Sequence, residues 1–351
     1  MATRQAGGRR RLDASIPEEY DVPTRAPRIA SPEIARLVMT GITTLWLVGT
    51  IGASTAVIAV DVPHWIARPS AALLLVVFTV GLVHRSGGLM RLWAPLAGIL
   101  AVAALVSERQ GLLASAALLT GVLSAVWAVM VTRPAASLVA VLREFGIALL
   151  AAISGAIGVA AWNVEVDSQR FALVLMAASL AIVIALVWSL GAGLHGLGKQ
   201  GFLILVGIAT LLLIVLLYSS FVRTHGSQSL INAITDLTIW MRETIRGVPR
   251  PVEVFVGFPA LIVGVSMRSR RREGWWVLVF AVVGTAAVTA SLVSPGAFPS
   301  YIGFSTLYSI VLGGIVGLVV RSRVMVERSA RAARQFEEER RVEPGRFAPL
   351  Q

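Results

Sequence analysis

The sequence predicts an all-α fold: a polytopic helical membrane bundle of about ten transmembrane helices with both termini cytoplasmic. Three observations carry that prediction. Apolar residues make up 56% of the 351 residues and charged residues only 14%, against roughly 25% charged in soluble domains. A soluble fold has nowhere to bury so much apolar surface. Stretches near the length that crosses a bilayer as a helix, about 20 mainly apolar residues, recur along the chain. Basic residues gather in alternate connections, as cytoplasmic loops require. A mean hydropathy of +0.79 also excludes disorder over most of the length.

Residues 1–35 mix Pro, Gly, Ala and charge without periodicity and read as a disordered basic cytoplasmic tail. Arg9-Arg10-Arg11 lies far ahead of the first apolar stretch, which is too long for a signal-peptide core, so that stretch is an uncleaved anchor. The apolar stretches fall at 37–60, 70–84, 92–106, 111–131, 146–162, 171–190, 201–222, 252–267, 275–293 and 301–320, within a transmembrane domain over 36–320. Three of them, 70–84, 92–106 and 252–267, are short. They extend into their flanks, or form re-entrant hairpins with their neighbours.

With the N-terminus inside, 24 Arg and Lys fall on the cytoplasmic side and seven outside. The seven are Arg68, Arg109, Arg170, Arg223, Arg242, Arg246 and Arg250. Trp65, Trp93, Trp162, Trp188, Trp275 and Trp276 stand near helix ends, where an interfacial aromatic belt is expected. Residues 321–351 form a charged helical cytoplasmic tail with Glu327/Arg331 and Glu337/Arg341 at i, i+4 spacing. The net charge of +12 reads as topology and not as nucleic-acid binding. Lys199 is the single lysine among 31 basic residues, a bias that fits a GC-rich bacterial coding sequence and hence the bacterial cytoplasmic membrane.

The chain has no cysteine, which removes disulfides, thiolate chemistry and iron–sulfur ligation. No charged residue falls in the middle of a stretch, Glu144, Glu253 and His84 lying at ends. That argues against a proton pump or voltage sensor, which need charge inside the membrane. Small residues supply the polarity instead: Thr40, Thr43, Thr44, Thr50 and Ser54 in the first stretch, Ser154 and Gly158 in the fifth, and Gly313 and Gly317 in the last. Such residues let helices approach closely.

Gly193-Leu194-His195-Gly196-Leu197-Gly198-Lys199 has P-loop spacing, but Gln200 stands where a magnesium-binding Ser or Thr belongs. It reads as a turn. The four histidines are scattered without metal-ligand spacing, and neither a metal nor a cofactor is expected.

The external face carries the candidate chemistry. Within 223–252, Leu230, Ile234, Leu237, Met241 and Ile245 repeat at helical spacing over 229–246, with Asn232, Asp236, Arg242, Glu243 and Arg246 elsewhere. Gly247 and Pro249 end this amphipathic helix, and Trp240 anchors it at headgroup level. A second cluster, Asn163, Glu165, Asp167 and Arg170, lies between the fifth and sixth stretches. The candidate bases are Glu165, Asp167, Asp236 and Glu243, and the candidate lipid-phosphate ligands are Arg170, Arg242, Arg246 and Arg250.

Three functions fit. The first is transport or flipping of a hydrophobic or lipid-linked envelope compound. The second is a non-catalytic subunit or scaffold of envelope assembly that binds a protein partner through its basic tails. The third is an outward-facing enzyme on lipid phosphates. Membrane lipids are partners in all three. Because the chain is cysteine-free, the topology is testable with single thiols. Ser107→Cys, Ser227→Cys and Ser300→Cys are expected to react with an impermeant maleimide in intact cells, and Ser137→Cys and Ser269→Cys are not. Reaction at position 269 would break the eighth and ninth assignments.

Overall fold

The computed structural model describes residues 32–58, 64–190, 203, 206–212, 214, 228–269, 274–293, 299–332, 346 and 348–350. The basic segment 1–31, the Gly193–Lys199 motif, His225, most of 201–222 and the Glu337/Arg341 pair lie outside them. Among the described residues there is no strand. Ten α-helices are described at full length: α1 Pro32–Ser54, α2 His64–Ser86, α3 Met90–Ser107, α4 Gln110–Met130, α5 Leu138–Ala161, α6 Ser168–Ser189, α7 Gln228–Ile245, α8 Phe258–Arg268, α9 Gly274–Ala290 and α10 Pro299–Ala332. Residues 206–212 are also helical. A five-residue π-helix, Glu253–Gly257, leads into α8.

Among the described residues six helices are long and apolar enough to cross a membrane: α2, α3, α4, α5, α6 and the Pro299–Val324 part of α10. The chain is a multi-pass membrane protein. The chain divides into two compact units, Met1–Gly41 and Ile42–Gln351. The described part of the first is the opening of α1. The second contains the packed bundle.

Several helices outrun their apolar stretches, and each has a local cause. Helix α2 begins six residues before 70–84 and carries Pro69 in its second turn. Helix α5 begins at Leu138, where the Ser137 hydroxyl accepts a hydrogen bond from the Ala140 N–H at 3.3 Å. A Ser N-cap starts a helix wherever its side chain can take an orphan N–H. The extension carries Arg143 and Glu144 into the helix. The π-helix also has a chemical reason. Pro259 has no N–H to close an α-helical bond, and the Phe258 N–H reaches back five residues to the Glu253 carbonyl.

Helices α4, α5 and α9 form the centre. Every residue of α9 is buried except Ala287. It packs against α4, α5, α6, α8 and the π-helix, while α3 packs chiefly against α2 and α4. The Thr285 hydroxyl donates to the Ala125 carbonyl of α4 at 2.9 Å. Two glycines set the approach of α9 to the π-helix. A Cβ on Gly257 would lie 2.3 Å from the Gly284 Cα, and one on Gly284 would lie 2.8 Å from the Gly257 Cα. Of the small-residue positions read from the sequence, Thr40, Thr43 and Thr44 are exposed, whereas Thr50, Ser154, Gly313 and Gly317 pack. Gly313 faces Phe258, Gly317 faces Pro259 and Ile262, and the Thr50 and Ser154 hydroxyls meet at 2.7 Å.

The tryptophans divide. Trp65, Trp93 and Trp188 are exposed, as a belt requires, but Trp162, Trp275 and Trp276 are buried. Trp162 donates from Nε1 to the Thr120 hydroxyl at 3.0 Å inside the bundle. A helix end in sequence is an interface in space only when no neighbouring helix covers it.

Gly284→Val is expected to clash with Gly257 backbone and to lower stability by about 3 kcal/mol, the upper part of the overpacking range. Gly314→Ala, whose Cβ would meet only Phe145 at 4.0 Å, is expected to be neutral. Thermal unfolding of the two purified variants side by side checks this; equal midpoints would refute the close-contact account.

Candidate functional site

The two ends of the bundle differ in chemistry. One end, termed the base, is where α2, α4 and α8 finish and α5 and α9 begin. A helix C-terminus presents carbonyls without intrahelical partners and the negative end of the helix dipole. At the end of α4 these carbonyls meet three guanidiniums from distant parts of the chain. Arg85 Nε donates to the Met130 carbonyl at 3.1 Å. Arg346 Nη1 donates to the Val131 carbonyl at 3.1 Å. Arg268 donates from Nη1 and Nη2 to the Thr132 carbonyl, both at 3.2 Å, and from Nη1 to the Thr132 hydroxyl at 2.9 Å. Arg85 and Arg268 are fully buried. Arg268 also sits 3.7 Å over the Trp275 ring, a cation–π contact that strengthens as water is excluded.

One carboxylate joins this group. Glu144 is completely buried. Arg346 forks onto it, with Nη1 to Oε2 and Nη2 to Oε1 both at 2.7 Å. The Arg133 backbone N–H donates to Oε2 at 2.9 Å, and the exposed Arg143 reaches Oε1 at 3.2 Å. The C-terminal residues are thus folded back on the base: Arg85 Nη1 donates to the Ala348 carbonyl at 2.7 Å, and the Leu350 N–H donates to the Arg85 carbonyl at 3.2 Å. Arg321 closes the rim, donating to the Ser266 hydroxyl and the Ala136 carbonyl.

The opposite end holds the residues singled out from the sequence, in two separate places. Asp167 is the N-cap of α6, its Oδ1 accepting from the Arg170 N–H at 2.9 Å. The Arg170 side chain lies 3.9 Å from the Asp167 carboxylate and is exposed, as is Glu165. Arg170 and Asp167 border an open groove of about 400 Å³ between α4 and α6. Its other walls include Leu118, Val166, Phe171 and Val174.

The second place is α7 and the segment after it. Asp236, Glu243 and Arg246 are exposed. Arg242 lies 5.2 Å over the Tyr301 ring. Arg246 ends α7 with a positive φ of 56°, and the following backbone docks on α10. There the Val248 N–H donates to the Ser305 hydroxyl at 3.0 Å, the Arg250 N–H to the Ser309 hydroxyl at 2.8 Å, and the Tyr308 hydroxyl to the Ile245 carbonyl at 2.8 Å. Arg250 pairs with the fully buried Glu253 at 2.7 Å. On α7 itself Leu237, Ile239 and Trp240 stand exposed.

Among the described residues no hydrogen bond or ion pair joins the Glu165–Arg170 cluster to the α7 cluster. The residues that sequence reading passed over are Glu144, Glu253, Arg85, Arg268 and Arg346. In sequence they are charges that mark a loop or a helix end, and apart from the Arg250–Glu253 pair nothing in their spacing announces partners 45 to 263 positions away. No protein-family model, curated protein or solved structure matches the chain.

The structural part that Asp167 plays can be separated from any chemistry. Asp167→Ala is expected to cost about 0.5–2 kcal/mol by removing the α6 cap, and Asp167→Asn, which still accepts the Arg170 N–H, much less. Chemical or thermal unfolding of both variants reads the difference; equal losses would show that charge and not capping matters.

Proposed function

We propose that this protein transports or flips a hydrophobic or lipid-linked envelope compound across the bacterial cytoplasmic membrane. In this reading it has ten spans and both termini inside. The observation that supports it is the α4–α6 groove. Its walls are Leu118, Val166, Phe171 and Val174, and its charged members are Arg170 and Asp167. An amphiphile places acyl or polyprenyl chain along such a wall and its phosphate at the guanidinium, which suits phosphate oxygens geometrically. The volume falls in the range of small-molecule sites, about 300–1,000 Å³. Arg246 adds a second exposed guanidinium on the same external side of the proposed topology. Arg242 and Arg250 are already engaged, by Tyr301 and Glu253, and serve as positioning groups.

A second reading, a non-catalytic subunit of envelope assembly, draws on α9. A central helix buried almost throughout by apolar neighbours suits a rigid body that presents its surfaces to a protein partner.

Native mass spectrometry of the gently solubilised protein separates the two. A retained phospholipid or polyprenyl phosphate whose occupancy falls at least ten-fold in Arg170→Ala is the expected result. Lipid occupancy indifferent to Arg170→Ala would remove the groove as the site. A stoichiometric protein partner without a specific lipid would establish the second reading.

A further inference from the structure

We infer that the base of the bundle is a peptide-binding socket that recognises an Arg-x-x-Pro-Leu segment and is occupied here by the chain's own C-terminal residues. The inference holds whether the bundle transports or scaffolds. Three separate features read the segment Arg346–Leu350. Charge and shape are read by Glu144, whose two oxygens take the two ends of the Arg346 fork at 2.7 Å each. Such a bidentate pair fixes orientation as well as charge. Backbone is read by Arg85 in both directions, its guanidinium donating to the Ala348 carbonyl and its own carbonyl accepting from the Leu350 N–H. Apolar character is read by the core, against which the Leu350 side chain packs. Pro349, itself exposed, disfavours helical conformation at Ala348 and so favours the non-helical backbone whose Ala348 carbonyl Arg85 takes.

The socket is built to exist without its occupant. When Arg346 is withdrawn, Glu144 still accepts from the Arg133 N–H and from Arg143. Arg85 still holds the Met130 carbonyl, and Arg268 still caps Thr132. The occupant contributes one fork, one further bond from Arg346 to the Val131 carbonyl, two backbone hydrogen bonds and one apolar side chain, which is few enough to exchange. A segment of another protein with arginine four residues ahead of leucine and proline between them makes the same contacts, so the fitting partner is a short basic peptide of that pattern.

The test uses the full-length purified protein and a fluorescent synthetic peptide with the sequence of residues 343–350. In Arg346→Ala the tail has lost its fork, and the peptide is expected to bind saturably. Binding to the unsubstituted protein, whose own tail competes at an effective concentration of order millimolar, is expected to be at least ten-fold weaker. Adding Glu144→Gln to Arg346→Ala is expected to abolish it. No binding to Arg346→Ala, or equal binding to both proteins, would overturn the socket. Should the substituted bundles fail to fold, the native tail is probed directly. Ala348→Cys, the only thiol in that chain, is expected to react with maleimide at least ten-fold more slowly than Ser322→Cys on the exposed face of α10, and equal rates would overturn the proposal.

Discussion

The C-terminus of α4 presents its last carbonyls inside protein and not to water. A buried carbonyl without a partner costs about 1–3 kcal/mol, and the converging peptide dipoles add a fractional negative charge. Three guanidiniums resolve this. Arg85 arrives from the end of α2, Arg268 from the end of α8 and Arg346 from the last few residues of the chain. Each can donate in several directions at once, so each joins α4 to the element it came from. The position of α2, of α8 and of the C-terminal segment at the base follows from that shared demand. The neighbouring Glu144 supplies the negative charge that lets Arg346 be taken from water.

Above the base the constraint changes from polar satisfaction to volume. Apolar burial gives little net attraction between helices in lipid, so contact rests on close packing. Gly257 and Gly284 remove side chains at the crossing of the π-helix and α9. Gly313 and Gly317 do the same for α10 against α8. Thr and Ser hydroxyls within the core turn back onto their own helix or reach one neighbour, as Thr79 does to the Leu75 carbonyl and Trp162 to Thr120. The buried carboxylates, Glu144 and Glu253, each arrive with an arginine.

The surface that faces outward from this core is where the proposed recognition would lie. The α4–α6 groove couples an apolar wall to a guanidinium. The exposed Leu237, Ile239 and Trp240 of α7 offer a face suited to the headgroup boundary. These features share one side of the proposed topology, and the arginine-capped base has the other. In the proposed reading the bundle would meet a lipid at one end and a peptide at the other.

Composition and hydropathy alone determined that the chain is helical and membrane-embedded, because both are sums over many residues and survive any packing. The amphipathic helix at Gln228–Ile245 was legible for the same reason, its period being a local property. The Asp167 cap and the small-residue faces were legible as types, though not their partners. Tertiary structure alone decided that Arg85 and Arg268 are buried caps and not solvated loop charges, and that Trp162, Trp275 and Trp276 are core and not belt. It also decided that Glu144 lies within α5, since its charge breaks the apolar stretch in sequence and its bidentate partner is an arginine 202 positions away. Hydropathy assigns each residue an average surrounding. A buried charge is tolerated through particular partners, and those partners are brought together only by the packing of the helices.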